Sequence, residues 1–185
     1  MKTEEIFKQS DALFRSGEYE KAGEFLEQKS KEAFECGQLD VALSVLNELT
    51  GWYRFSKRMD EAWASAEKLL ELVDYMQLWD SLEGATVLLN VATVYKASDK
   101  QDMALNLYEK VEAIYLDKQV TDDRIVGLYN NMCVTCLELG QNMRAYKYGQ
   151  KGLDYAKYCG DIRPDRLETM KYNAAAAKQR LVKYG

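Results

Sequence analysis

Ala85–Tyr115 reads ATVLLNVATVYKASDKQDMALNLYEKVEAIY. In its first half Leu88, Val91, Ala92 and Tyr95 recur at i, i+3, i+4, i+7. In its second half Ala104, Leu107, Tyr108 and Val111 repeat that spacing. Each set falls on one face of a helix with about 3.6 residues per turn. Between them Asp99-Lys100-Gln101 is polar and leaves room only for a tight reversal. Two amphipathic helices joined this way fold back antiparallel and bury those faces against each other. One hairpin cannot cover both sides of its own apolar surface, so it needs neighbours of the same kind.

The chain supplies them. Ala22, Ala62, Ala104 and Ala145 open successive second helices and are separated by 40, 42 and 41 residues. Five residues before each anchor a turn begins: Gly17-Glu18-Tyr19, Lys57-Arg58-Met59, Asp99-Lys100-Gln101 and Gly140-Gln141-Asn142. Glycine occurs twice there because a helix end commonly needs a positive φ. An amphipathic helix precedes each turn, with core faces Ile6-Ser10-Leu13, Leu46-Leu49-Thr50-Tyr53 and Tyr129-Met132-Cys133-Cys136 in units one, two and four. The small members Ser10, Thr50, Ala92 and Cys133 mark the closest helix crossings. A period of this size predicts stacked helical repeats.

The pattern resembles the tetratricopeptide repeat (TPR). GEYEKA at Gly17–Ala22 is close to that family's Gly-x-Tyr-x-x-Ala turn, while GQNMRA at Gly140–Ala145 departs by lacking the tyrosine. The family's usual Trp and Pro positions are unmatched. Its common length is about 34 residues, and the longer units here resemble the variants of about 42 residues in kinesin light chains and bacterial peptide-sensing regulators. The resemblance implies an all-α fold: a right-handed superhelical stack of antiparallel helix pairs, nine helices in all. It is read as one domain over 1–185, with units at about 3–37, 39–77, 80–117 and 122–160 and a capping helix at about 164–183 that covers the open end of the stack.

Composition narrows the function. Hydrophobic residues make up 47% of the 185, as in a globular core, and a single proline permits long helices. Net charge is −5, with 25 basic and 30 acidic residues spread along the chain, a surface that repels a phosphate backbone. We therefore expect no nucleic-acid partner. No apolar run approaches about 18 residues and the N-terminus MKTEEIFKQS lacks a signal-peptide core, so no membrane partner is expected and the compartment is read as cytoplasmic. Cys133 and Cys136 form a Cys-x-x-Cys, but both fall on a core face and no second pair accompanies them. With no histidine in the chain, no metal site, cofactor or catalytic residue is expected.

The helix signals place Asp40 as the N-cap of the third helix, Asp80 or Ser81 before the fifth, and Thr121 with Arg124 as half a capping box before the seventh. Trp63, Ala66, Leu69, Leu70 and Val73 are read as the buried face of the fourth helix. The eighth helix is read over Met143–Tyr158, and Pro164 falls in the first turn of the ninth.

The architecture implied by the resemblance puts the first helix of each unit on a concave groove. Groove-facing positions then include Asn47 and Arg54 in unit two, Leu89, Asn90 and Lys96 in unit three, Asn130 and Asn131 in unit four, and Thr169, Tyr172, Asn173 and Arg180 on the last helix. Asn90 to Asn131 is 41 residues and Asn131 to Asn173 is 42, with Asn47 one residue off that register. Asparagine is unfavourable inside a helix because its amide competes for backbone bonds. A row of amides can pair with the N–H and C=O of an extended peptide of any sequence, resembling the asparagine ladder of peptide-binding TPR proteins. Alternatively, the amides bond to one another and to neighbouring helices and stabilise the stack. Asn47, Asn90, Asn131 and Asn173 are the candidate backbone-reading residues, Arg54, Lys96 and Arg180 would meet acidic side chains, and Leu89 and Tyr172 would supply apolar contact. The carboxylate clamp of chaperone-binding relatives is not matched, since Asp11 and Glu48 occupy that face.

No phosphate loop or nucleophile–base motif occurs. The expected function is a non-catalytic scaffold whose groove holds an extended segment of a protein or peptide partner. The alternatives are a regulatory sensor module acting on a partner enzyme or regulator, and a self-assembling structural protein; homo-oligomers fit the last.

Overall fold

In a computed structural model describing residues 2–184, the described residues form nine helices and no strand. They divide into two compact units, one ending at Trp79 and the other beginning at Asp80. The first holds α1 (Thr3–Arg15), α2 (Tyr19–Glu35), α3 (Leu39–Phe55) and α4 (Met59–Tyr75). The second holds α5 (Leu82–Ala97), α6 (Gln101–Asp117), α7 (Asp123–Glu138), α8 (Asn142–Ala156) and α9 (Pro164–Tyr184). Within each unit every helix packs on the next, and α1 also meets α3 as α7 meets α9.

The expected helix pairs are present. All four alanine anchors are fully buried, since a larger side chain there would hold the paired helices apart. Leu26, Leu46, Leu49, Leu69 and Val73 fill the first core, and Leu88, Val91, Tyr108, Val111, Met132 and Met170 the second. The small polar residues at crossings are satisfied locally: Ser10 donates to the Phe7 carbonyl at 3.1 Å and Thr50 to the Leu46 carbonyl at 2.7 Å.

One turn serves seven connections. Gly17, Gly37, Lys57, Gln77, Asp99, Gln119 and Gly140 all adopt positive φ, between 54° and 79°. In each case the following residue's N–H bonds back five residues, as Glu18 does to Leu13 and Gln141 to Cys136, closing the helix end. Four of the seven are not glycine, although the left-handed region disfavours a Cβ.

Several local expectations change. Because the turn feeds straight into the next helix, Gln38 rather than Asp40 occupies the N-cap of α3, and Asp40 sits in the first turn beside the positive helix end. Ser81 is the α5 cap, its Oγ accepting from Gly84 N at 2.9 Å. Asp122, not Thr121, caps α7, its carboxylate accepting from Arg124 N at 3.0 Å. Trp63 is half-buried and donates to Glu67 at 2.9 Å instead of joining the core, and Leu13, Leu70 and Leu107 are likewise only half-buried. α8 ends at Ala156, two residues early. α9 buries Met170, Ala174 and Ala177 and leaves Lys171, Ala175 and Lys178 exposed.

Candidate functional site

The candidate face lies in the second unit. Leu89 on α5, Gly127, Asn130 and Asn131 on α7, and Thr169 on α9 line one cleft of about 320 Å³. Arg124, Arg163, Asp165 and Arg166 complete its wall. Helix periodicity brings the α7 residues together: 127, 130 and 131 are one turn apart on one side.

The arginines are held in place. Arg166 Nη1 donates to the Asp123 carbonyl at 2.8 Å and lies 3.0 Å from Asp123 Oδ2, while Arg163 Nε is 3.6 Å from the same oxygen. Gly127 leaves room for the guanidinium: a Cβ there would stand 3.1 Å from Arg166 Nη1 and push it by a few tenths of an ångström. Arg124 grips both carboxylate oxygens of Asp122 at 2.7–3.0 Å, and those bonds hold the Asp122 carboxyl below its ordinary value. Arg124 is thus paired with Asp122, and Arg163 and Arg166 with Asp123. The lining itself holds these three arginines and one aspartate, Asp165.

The asparagines are split between two behaviours. Asn173 Nδ2 donates to Asn130 Oδ1 at 2.8 Å, an inter-helix bond of the stabilising kind and one residue out of the expected register. Asn131 is half-buried, lines the cleft, and its side chain has no hydrogen-bond partner among the described residues. Asn90 is half-buried beside Leu89 on α5. Lys96 is engaged, its Nζ 3.2 Å from Glu138 Oε1. Arg180 donates to the Leu137 carbonyl at 2.9 Å, closing the α7 end. Tyr172 is 77% exposed on α9. Asn47 and Arg54 lie on α3 in the other unit, Asn47 half-buried and Arg54 exposed.

Sequence reasoning missed Arg124, Arg163, Arg166 and Gly127. The one available signal was Gly127 itself, a mid-helix glycine that costs about 1 kcal/mol relative to alanine and so asks for a close neighbour. Burial pushes both the Cys133 and Cys136 thiols up to about 11, away from the reactive thiolate. Among the described residues no group of three or more His, Cys, Asp or Glu could hold a metal ion, and no helix is long and apolar enough to cross a membrane.

The helix pairs, their alanine anchors and their turns define an all-α helical-repeat fold of the TPR-like kind. No family model matches the sequence, and no curated protein matches it. Solved structures do. The chain is similar to BtubC (BKLC) from P. vanneervenii, at 22% identity and a TM-score of 0.86 over 98% of this chain and 73% of that one. It is similar to a kinesin-light-chain protein of Podosopora anserina with nearly identical TPR-like repeats, at 18% identity and TM-score 0.82 over 98% and 87%. Aspartyl phosphate phosphatase F from Bacillus subtilis matches at 13% and 0.77, over 98% of this chain and 48% of that one. At such identities the likeness establishes the fold, and function has to be argued from the site.

Proposed function

We propose that this chain is a non-catalytic binding scaffold and that the α5–α7–α9 face of its second unit holds an extended segment of a partner protein. Asn131 carries the reading. Its amide is half-buried in the cleft, costs helix propensity, and has no hydrogen-bond partner among the described residues that would repay it. An extended main chain offers the N–H and C=O that one amide can accept from and donate to. Asn130 and Asn173, joined to each other, extend that edge across α7 and α9. Leu89 supplies an apolar contact, and Asn90 and Tyr172 lie on the same helices. Lys96 and Arg180 serve the face by fixing its ends against Glu138 and the Leu137 carbonyl.

The test starts from peptides selected against the whole chain from a displayed random library. Titration calorimetry then compares wild type with Asn131→Ala. Losing one or two main-chain bonds should weaken binding roughly two- to a hundredfold, since each is worth about 0.5–1.5 kcal/mol. The melting temperature should hold or rise, because alanine is the better helix former. A library that yields no binder, or binders indifferent to Asn131→Ala, would refute the proposal.

A further inference from the structure

The first unit carries a separate surface, independent of the face above. Where α1 ends, α2 begins and α3 ends, three aromatic rings stand in a row. The Phe14 ring centroid lies 6.3 Å from that of Tyr19, and Tyr19 lies 5.7 Å from Phe55. Phe14 is half-buried, while Tyr19 is 47% and Phe55 66% exposed. Tyr75, Tyr158 and Tyr172 are exposed too, but none has a ring neighbour among the described residues. Single exposed aromatics are ordinary on a protein surface, whereas a contiguous apolar group marks a place where something docks, because water compensates it poorly.

The charge beside the rings says what docks. Asp11 is one turn before Phe14 on the same side of α1, and Glu48 is two turns before Phe55 on the same side of α3. Gly51 lies between Glu48 and Phe55, and nothing comes within 4 Å of a Cβ built there, so the strip joining carboxylate to ring is bare. Because α1 meets α3, the two carboxylates feel each other. Partial loss of hydration first, then the Asp11 charge, pushes the Glu48 carboxyl up. Lys8 and Arg15 flank Asp11 on α1 and Arg54 precedes Phe55 on α3, yet neither carboxylate has an ion-pair partner among the described residues.

We propose that this surface receives an arginine side chain from a partner protein. The arginine stem would lie on Phe55 and along the open strip over Gly51, and its guanidinium would reach Glu48 and Asp11. Long basic side chains bury their methylenes on apolar surface while the charged head stays at its edge. A guanidinium holds several donors in one plane, so it can serve carboxylates from two helices and lie flat against a ring. An acidic group would be repelled by the same pair. An aliphatic residue would cover the rings and leave the two like charges opposed.

The test titrates N-acetyl-argininamide and its uncharged near-isostere N-acetyl-citrullinamide into the ¹⁵N-labelled whole chain at low salt, reading amide shifts at Asp11, Gly51 and Phe55. In wild type the arginine probe should bind about threefold or more tightly than the citrulline probe, the worth of one or two exposed ion pairs. In Asp11→Asn/Glu48→Gln the two probes should bind alike, and that variant should melt no lower than wild type because it relieves like charges. Phe55→Ala should weaken both probes by a similar factor, since it removes the apolar surface that both stems share. The proposal is overturned if the arginine probe leaves these amides unmoved, if wild type treats both probes equally, if the preference survives in the double variant, or if Phe55→Ala binds as wild type does. A lower melting point for the double variant would assign the carboxylates to the fold and overturn it too. Concentration-dependent shifts at these residues without a probe would make the occupant a second copy and overturn the assignment to a separate partner.

Discussion

Gly23→Ala should destabilise the first unit, although alanine is the better helix former. Gly23 lies within α2, and a Cβ there would come within 2.5 Å of Trp52 Cη2 and closer still to Cζ2 and Cε2. The indole has nowhere to go. It is 4% exposed, its Nε1 donates to the Tyr19 carbonyl at 3.0 Å, its ring packs 5.4 Å from Tyr53, and Arg58 stacks at 5.1 Å. Overpacking costs about 1–3 kcal/mol, losing the indole bond adds about 0.5–1.5, and helix propensity returns about 1. The net loss is about 2 kcal/mol, a fall in Tm of about 4–8 °C for a chain of this size. Gly51→Ala is the control. That glycine lies within α3 with nothing within 4 Å of its built Cβ, so alanine should stabilise by about 0.5–1 kcal/mol. Thermal melts followed by circular dichroism measure both, and in Gly23→Ala/Trp52→Leu the two costs should fall short of their sum because they share one contact. Equal shifts in the same direction for Gly23→Ala and Gly51→Ala would refute the packing argument.

Gln77→Gly and Gln119→Gly should each stabilise by about 0.5–1 kcal/mol, because both residues hold positive φ without being glycine, while Gly140→Ala should destabilise by about 1 kcal/mol; urea midpoints decide the signs. Stability should also fall at high pH. Burial first, then the hydrogen bond to Glu27, pushes Tyr53 up to about 12, and burial pushes Tyr148 to about 12 as well. An unfolded phenol releases its proton near about 10, so this contribution is complete below that pH and lost as pH rises from about 10 to about 12. Tyr53→Phe should flatten part of that fall, and a urea midpoint constant across the window would contradict it.

Fold was legible because it is written in spacing. The alanine anchors are buried where periodicity put them, and the left-handed residue falls five positions before each one, at 17, 57, 99 and 140. Gly37 ends the first pair as its glycine suggests, whereas the left-handed turns at Gln77 and Gln119 escaped because they follow the second helices, where no anchor marks them, and neither carries a glycine. Trp63 was misjudged because periodicity gives a face and not its depth. The site was legible only as a face. Spacing brought Asn131 and Leu89 to one side of the second unit, but it could not say that Asn173 bonds to Asn130, that Lys96 is taken by Glu138, or that Arg180 closes the α7 end. Arg166 and Gly127 are 39 residues apart, and only the packing of α9 on α7 makes one the reason for the other.

The recurring turn has a metric consequence. In the first unit its left-handed residues stand at 17, 37, 57 and 77, equal steps of 20 residues whether the turn joins two helices of a pair or two pairs. In the second they stand at 99, 119 and 140, steps of 20 and 21. Chain length is therefore portioned by the helix and not by the hairpin. Each helix with its turn holds about 20 residues, at most about 70 Å of contour when fully drawn out. The contour of the molecule is graduated by where the backbone turns left-handed.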